Sequence, residues 1–152
     1  MGSEMCIRDR YVVGSRGLMG KRVLGLLQEE LSNYRVVALS RRLPIGDPRH
    51  VDLRDPESLQ LHPGDVVVNA VGLHPLDIDP GPMITHCLNS GAHYVDLSES
   101  RDIHEIGEHA IAAYSAEQIA TSAIVQGCST IPAMVDVLMP ASPGAELSLI
   151  HI

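Results

Sequence analysis

Residues 11–20 read Tyr-Val-Val-Gly-Ser-Arg-Gly-Leu-Met-Gly, and this stretch decides the fold. An apolar run at residues 11–13 stops on Gly14, and apolar side chains then recur at Met19, Val23, Leu26, Leu27 and Leu31, the spacing of one helix face. Between strand and helix lies Gly14-Ser15-Arg16-Gly17-Leu18-Met19-Gly20, a GxxGxxG pattern. Glycine lets the backbone turn tightly at Gly14, come close to a phosphate at Gly17 and pack the helix on the sheet at Gly20. The helix start adds free N–H groups and a partial positive charge, so the segment is a candidate seat for a pyrophosphate. Glycines also close ordinary strand-to-helix turns; position gives this pattern its phosphate reading.

The remainder of the chain alternates in the same way. Further strands are expected at residues 35–39, 51–53, 66–68, 93–97 and 123–125, the run at 51–53 being the weakest. Helices are expected at residues 18–31, at 82–88 with Asn89-Ser90-Gly91 closing it, from 103 into an Ala-rich stretch ending near 119, and at 133–139 behind Ser129, Thr130 and Pro132. The valines 66–68 follow a Pro63-Gly64-Asp65 turn and have no polar face, as in a strand covered on both sides. Strands that alternate with helices pair in parallel through right-handed crossovers. The expected class is therefore α/β, a doubly wound parallel sheet of the Rossmann kind in a single domain. The proline-rich residues 74–82 are expected to form a loop on the ligand-binding face rather than a domain boundary.

Composition narrows the function. The 152 residues are 45% apolar, enough for one core, and carry a formal charge of -8 with Lys21 as the only lysine. Such a chain lacks the basic surface that nucleic acid requires. No apolar run approaches the roughly 20 residues of a membrane span and no segment has a signal-peptide layout, so a cytoplasmic location is expected. Cys6, Cys87 and Cys128 are too scattered for a disulfide framework. His50, His62, His74, His86, His93, His104 and His109 lack metal-ligand spacing, and no metal is expected. Tyr114 is followed by Gln118 where a YxxxK dehydrogenase would place its lysine, which disfavours that mechanism.

The second chemical signal is Ser40-Arg41-Arg42, at the end of the second strand. An NAD-specific domain usually places an acid there to hold the ribose 2′-hydroxyl. Two guanidiniums and a hydroxyl suit a 2′-phosphate instead, so NADP is expected over NAD, with Arg16 adding to the preference. Asp52 is a candidate for the adenine edge. Asn69, Ala70, Val71 and Gly72 would lie along the cofactor ribose, Gly72 permitting close approach. With Gly14, Ser15, Arg16, Gly17, Leu18, Met19 and Gly20 these complete the candidate cofactor site; the catalytic residues are not legible.

The two ends differ in composition from what they flank. Residues 1–9, MGSEMCIRD, and residues 147–152, LSLIHI, resemble translated transposase sequencing adapter. They are expected to be added tails that pack poorly, with residues 10–146 forming the domain.

Four segments together resemble the NAD(P)-binding domain of the saccharopine dehydrogenase family: VVGSRGLMGKRV from residue 12, DVVVNAVG from 65, HCLNSGAHYVDLSES from 86 and IVQGCSTIPAMVDVL from 124. The stretch 86–100 carries the likeness furthest, and Ala133 departs from it where the family often has glycine. The resemblance implies a pyridine-nucleotide oxidoreductase acting on a C–N or related bond of a small-molecule substrate. Its substrate residues would come from a second domain not contained in this chain, through which a homodimer could also form, and the fragment alone would be inactive. Two alternatives stay open. One is a non-catalytic NADP-sensing protein on the same fold; the other, disfavoured by the missing acid after the second strand, is a Rossmann methyltransferase.

Overall fold

The computed structural model describes residues 8–72, 79–98, 100–115, 119 and 121–128. Five strands form one all-parallel sheet: β1 (Asp9–Val13), β2 (Arg35–Leu39), β3 (Val66–Asn69), β4 (His93–Asp96) and β5 (Ile124–Val125), in the spatial order β2-β1-β3-β4-β5. Among the described residues, the α-helices α1 (Leu18–Glu30), α2 (Gly81–Ser90) and α3 (Arg101–Ala112) lie between them. This is the α/β class expected from the alternating pattern. β1 is internal, with Val12 opposite both Ala38 of β2 and Val68 of β3. From β1 the chain moves one way to β2, then crosses back to β3, β4 and β5. The order thus reverses beside β1, where such sheets bind ligands outside the carboxyl ends of the strands.

Alternation along the strands selects the core. Tyr11 and Val13, Val67, and Tyr94 are buried together with Met83, Ile84, Cys87 and Leu88 of α2. Gly91 takes the left-handed conformation that ends α2, and the N–H of Ala92 closes the turn on the Cys87 carbonyl at 2.9 Å. Gly91 thus closes the helix as expected, while Asn89 and Ser90 still belong to its last turn. Helix α3 ends at Ala112, earlier than its alanine-rich sequence suggests. Beyond it the Tyr114 hydroxyl turns back to donate to Asn89 Oδ1 at 2.8 Å, which fixes the exit of the chain. Tyr114 therefore serves packing.

Two expectations need correction. Residues 51–53 do not join the sheet; only an isolated bridge links Asp52 and Asp55. Val51 and Leu53 are nevertheless core residues, so the alternation about Asp52 reflects two side chains entering the core from an irregular crossover between β2 and β3. Pro48 and Pro56 bracket that segment, and the Arg54 N–H turns onto Asp52 Oδ1 at 3.0 Å, which precludes a longer strand. The expected helix at 133–139 and the tails, apart from Arg8 and Asp9, lie outside the described residues.

The second correction is Asp9, assigned by composition to a poorly packed tail. It opens β1, its N–H donates to Asp65 Oδ1 at 2.8 Å, and its carboxylate accepts from Arg35 Nε at 2.7 Å and from the Tyr11 hydroxyl at 3.0 Å. The Arg35 guanidinium, helped by the Tyr11 hydroxyl, holds the Asp9 carboxyl below its usual range against the opposing effect of burial. A depressed folded-state pKa means that this stabilisation is complete above the unfolded value of about 3.9 and is lost as pH falls through the lower folded value. Asp9→Asn should therefore lower the melting temperature at pH 7 and flatten its decline on the acid side. Thermal melts from pH 7 down to about 2 check this, since only a carboxylate ionised in the fold contributes such a slope. Parallel curves for the two proteins would remove Asp9 from the acid transition.

Candidate functional site

The glycine turn is built from three backbone decisions. Gly14 has φ +80, a conformation side chains rarely tolerate, and a Cβ there would meet Val71 Cγ2 at 2.9 Å. Ser15 then ties the turn to the end of β2: both its N–H (3.1 Å) and its hydroxyl (2.8 Å) donate to the Leu39 carbonyl. Finally Gly20 brings α1 so close that a Cβ would lie 2.0 Å from the Gly14 carbonyl oxygen. These two glycines are demanded by the fold.

Gly17 and Gly72 are different. Gly17, the N-cap of α1, has φ -75, open to any residue, and a Cβ would touch only the Gly14 carbonyl oxygen at 3.3 Å. Among the described residues nothing lies within 4 Å of a Cβ at Gly72. Gly17 is thus far less constrained than Gly14 or Gly20, and Gly72 meets no packing contact among the described residues; both line one cleft of about 220 Å³ at the carboxyl ends of β1, β2 and β3. Helix α1 points its N-terminus at this region with no side-chain cap and no acid in its first turn. Its first N–H groups thus have no capping side chain, and no acid of its first turn offsets the partial positive charge.

The cleft is lined by Val13, Gly14, Arg16, Gly17, Ser40, Arg41, Arg42, Val51, Asp52, Leu53, Ala70, Val71 and Gly72. Ten of the fifteen candidate residues are thus brought together. The other five are not in the lining. Gly20 and Ser15 shape the turn, while Leu18 and Met19 stand exposed at the helix start. Asn69 is fully buried, where Nδ2 donates to the Tyr94 hydroxyl at 2.9 Å and Oδ1 accepts from the Val71 N–H at 3.1 Å. It orients the loop after β3 from below. Val13, Val51 and Leu53 were not foreseen as site residues. They give the cleft an apolar wall, and in sequence they look like core because they are core residues as well.

The charges are arranged around Asp52. Ser40 is buried; its N–H donates to the Arg49 carbonyl at 3.0 Å, and its Oγ accepts from the Arg42 N–H at 3.1 Å. Ser40 thereby folds the arginine loop over the cleft. Asp52 accepts from Arg54 through both oxygens, Nε at 3.0 Å and Nη2 at 2.7 Å, while Arg41 stands at 4.0 Å. The Arg54 hydrogen bonds, with a smaller contribution from the charge of Arg41, hold the Asp52 carboxyl at about 2. Asp52 is thus an anion at any working pH. Among the described residues, no carboxylate makes an ion pair with Arg16 or Arg42.

The remaining reactive side chains serve the fold. His86 donates from Nε2 to the Leu59 carbonyl at 2.7 Å, and His93 Nδ1 accepts from the Ala123 N–H at 2.9 Å. Cys87 is buried and its thiol is pushed up to about 12 by desolvation, while burial and, to a lesser degree, Asp96 raise the Cys128 thiol. Neither is a ready nucleophile. Among the described residues, no three His, Cys, Asp or Glu side chains converge as a metal site, and no helix is long and apolar enough to cross a membrane. Comparison with protein-family models, curated proteins and solved structures gives no match.

Proposed function

We propose that the cleft binds NADP and that the chain is the nucleotide-binding domain of a hydride-transferring oxidoreductase of the saccharopine dehydrogenase type. One observation carries this reading: Arg16, Arg41 and Arg42 line the same cleft as Gly17 and Gly72, the two glycines that packing among the described residues constrains least. Space at those glycines admits a close approach by phosphate and ribose, and an uncapped helix start supplies N–H donors. The apolar wall of Val13, Val51 and Leu53 suits the adenine. The cleft volume lies below the roughly 300–1,000 Å³ of complete small-molecule sites, which fits the adenosine end of a dinucleotide better than the whole of it. When bound, NADP supplies the hydride-transfer chemistry; the residues described here bind and orient it.

Titration calorimetry of the full chain tests the reading. NADPH is expected to bind at least about tenfold more tightly than NADH, because a charge-assisted hydrogen bond to the additional phosphate contributes roughly 1.5–3 kcal/mol. Equal affinities would withdraw the NADP assignment.

A non-catalytic NADP sensor is the second reading. It is favoured by the absence of His, Lys, Tyr and Cys from the described cleft lining, which leaves no side chain suited to proton transfer near neutral pH. A longer reading frame encoding a second domain would favour the enzyme.

A further inference from the structure

Asp52 poses a problem for a phosphate site, because an ionised carboxylate in the cleft wall repels an anionic ligand and competes for the arginines. The geometry resolves it. Arg54 engages both Asp52 oxygens and also gives its backbone N–H to Oδ1 at 3.0 Å, whereas Arg41 keeps only a loose 4.0 Å contact with Oδ2. Arg54 is itself absent from the cleft lining, to which Arg41 and Asp52 both belong.

We infer that Arg54 is a positioning residue for phosphate recognition: by occupying Asp52 from outside the cleft, it leaves the Arg41 guanidinium free to face a ribose 2′-phosphate. The inference rests on the NADP reading and assigns a role to a residue beyond the expected cofactor site. Without Arg54, the Asp52 carboxylate draws in its remaining cationic neighbour. Arg41 is then pulled onto the wall, and the cleft loses positive potential just where the phosphate sits. The backbone bond from residue 54 to Asp52 persists in any variant, so the carboxylate stays in place and only its charge partner changes.

The test uses the full chain and two probes that share adenosine and the 5′-phosphate, 2′,5′-ADP and 5′-AMP. The ratio of their dissociation constants isolates the 2′-phosphate, because any contact between Asp52 and adenine cancels. In Arg54→Met the preference for 2′,5′-ADP should fall about fivefold, the upper end for an exposed charge pair. Arg54→Lys should retain most of it. Asp52→Asn/Arg54→Met should restore it, because the competing carboxylate is gone, a rescue that a merely structural role would not give. Asp52→Asn alone should raise the preference above that of the unsubstituted protein, which keeps the idea testable if Arg54→Met fails to fold. An unchanged ratio in folded Arg54→Met, a loss that Asp52→Asn does not restore, or no gain in Asp52→Asn overturns the inference while leaving the NADP reading intact. An unsubstituted protein that does not prefer 2′,5′-ADP overturns both.

Discussion

Gly20→Ala is expected to cost on the order of 4 kcal/mol, a large part of the roughly 5–15 kcal/mol that keeps a domain of this kind folded. The added methyl would sit 2.0 Å from the Gly14 carbonyl oxygen and 2.6 Å from its carbon. Both are backbone atoms, and Gly14 is itself held at φ +80 against Val71. Nothing on that side is the end of a flexible side chain, so relief means moving α1 off β1 or breaking the bonds from Ser15 to Leu39. A stability loss of this size corresponds to a drop in melting temperature exceeding about 10 °C for a domain of this length. Gly17→Ala is the matched control: it meets one atom at 3.3 Å in an unstrained conformation and should melt within a few degrees of the unsubstituted protein. Its defect should appear in nucleotide titration instead, where a methyl intrudes on the phosphate. Circular dichroism melts of the two variants check the first half of the contrast. A folded Gly20→Ala with an unchanged melting temperature would mean that α1 does not pack this closely.

The same glycines explain what was legible in the sequence. A glycine turn between an apolar run and a helical stripe is a local pattern whose chemistry lies within ten residues, so the turn, its place beside the loop after β3 and the parallel class could all be read from it. β2 was likewise legible, because its β-branched run lies between polar flanks and has the same bounds in the structure, Arg35–Leu39. Asp9 was not. Its partners Arg35 and Asp65 are 26 and 56 residues away, and no local pattern reveals a bond at that separation. Residues 51–53 misled for the opposite reason. A two-residue alternation reports which side chains are buried, and only backbone pairing, invisible in one sequence, makes a strand. In the cleft, charge and glycine signals brought Arg16, Arg41, Arg42 and Asp52 into view, whereas Arg54 looked like one more solvated arginine. Its role depends on which of two arginines Asp52 prefers, and that is a matter of distances.

The largest effect on ligand choice should come from Arg41→Ala/Arg42→Ala. Both side chains line the cleft beside the end of β2, and residues 40–46, where an NAD-specific domain usually carries its ribose-binding acid, contain no acid. A 2′-phosphate meeting them forms charge-assisted hydrogen bonds, each contributing roughly 1.5–3 kcal/mol where solvent is excluded and less for a half-exposed side chain such as Arg41. With both removed, NADPH should bind about 10- to 100-fold more weakly while NADH changes by less than about threefold. The fold should survive, because the Arg42 N–H bond to Ser40 Oγ that shapes the loop comes from the backbone and is kept. Asp52 remains paired with Arg54, so no carboxylate is stranded by the loss of Arg41. Since the preference is a matter of charge, the NADPH advantage of the unsubstituted protein should shrink as salt rises from about 0.01 to 0.5 M, whereas the double variant should have little left to lose. Calorimetry of both nucleotides at each salt concentration makes the comparison. If the variant weakened NADPH and NADH equally, the arginines would be gripping the pyrophosphate common to both, and discrimination between the two cofactors would have to reside elsewhere in the cleft.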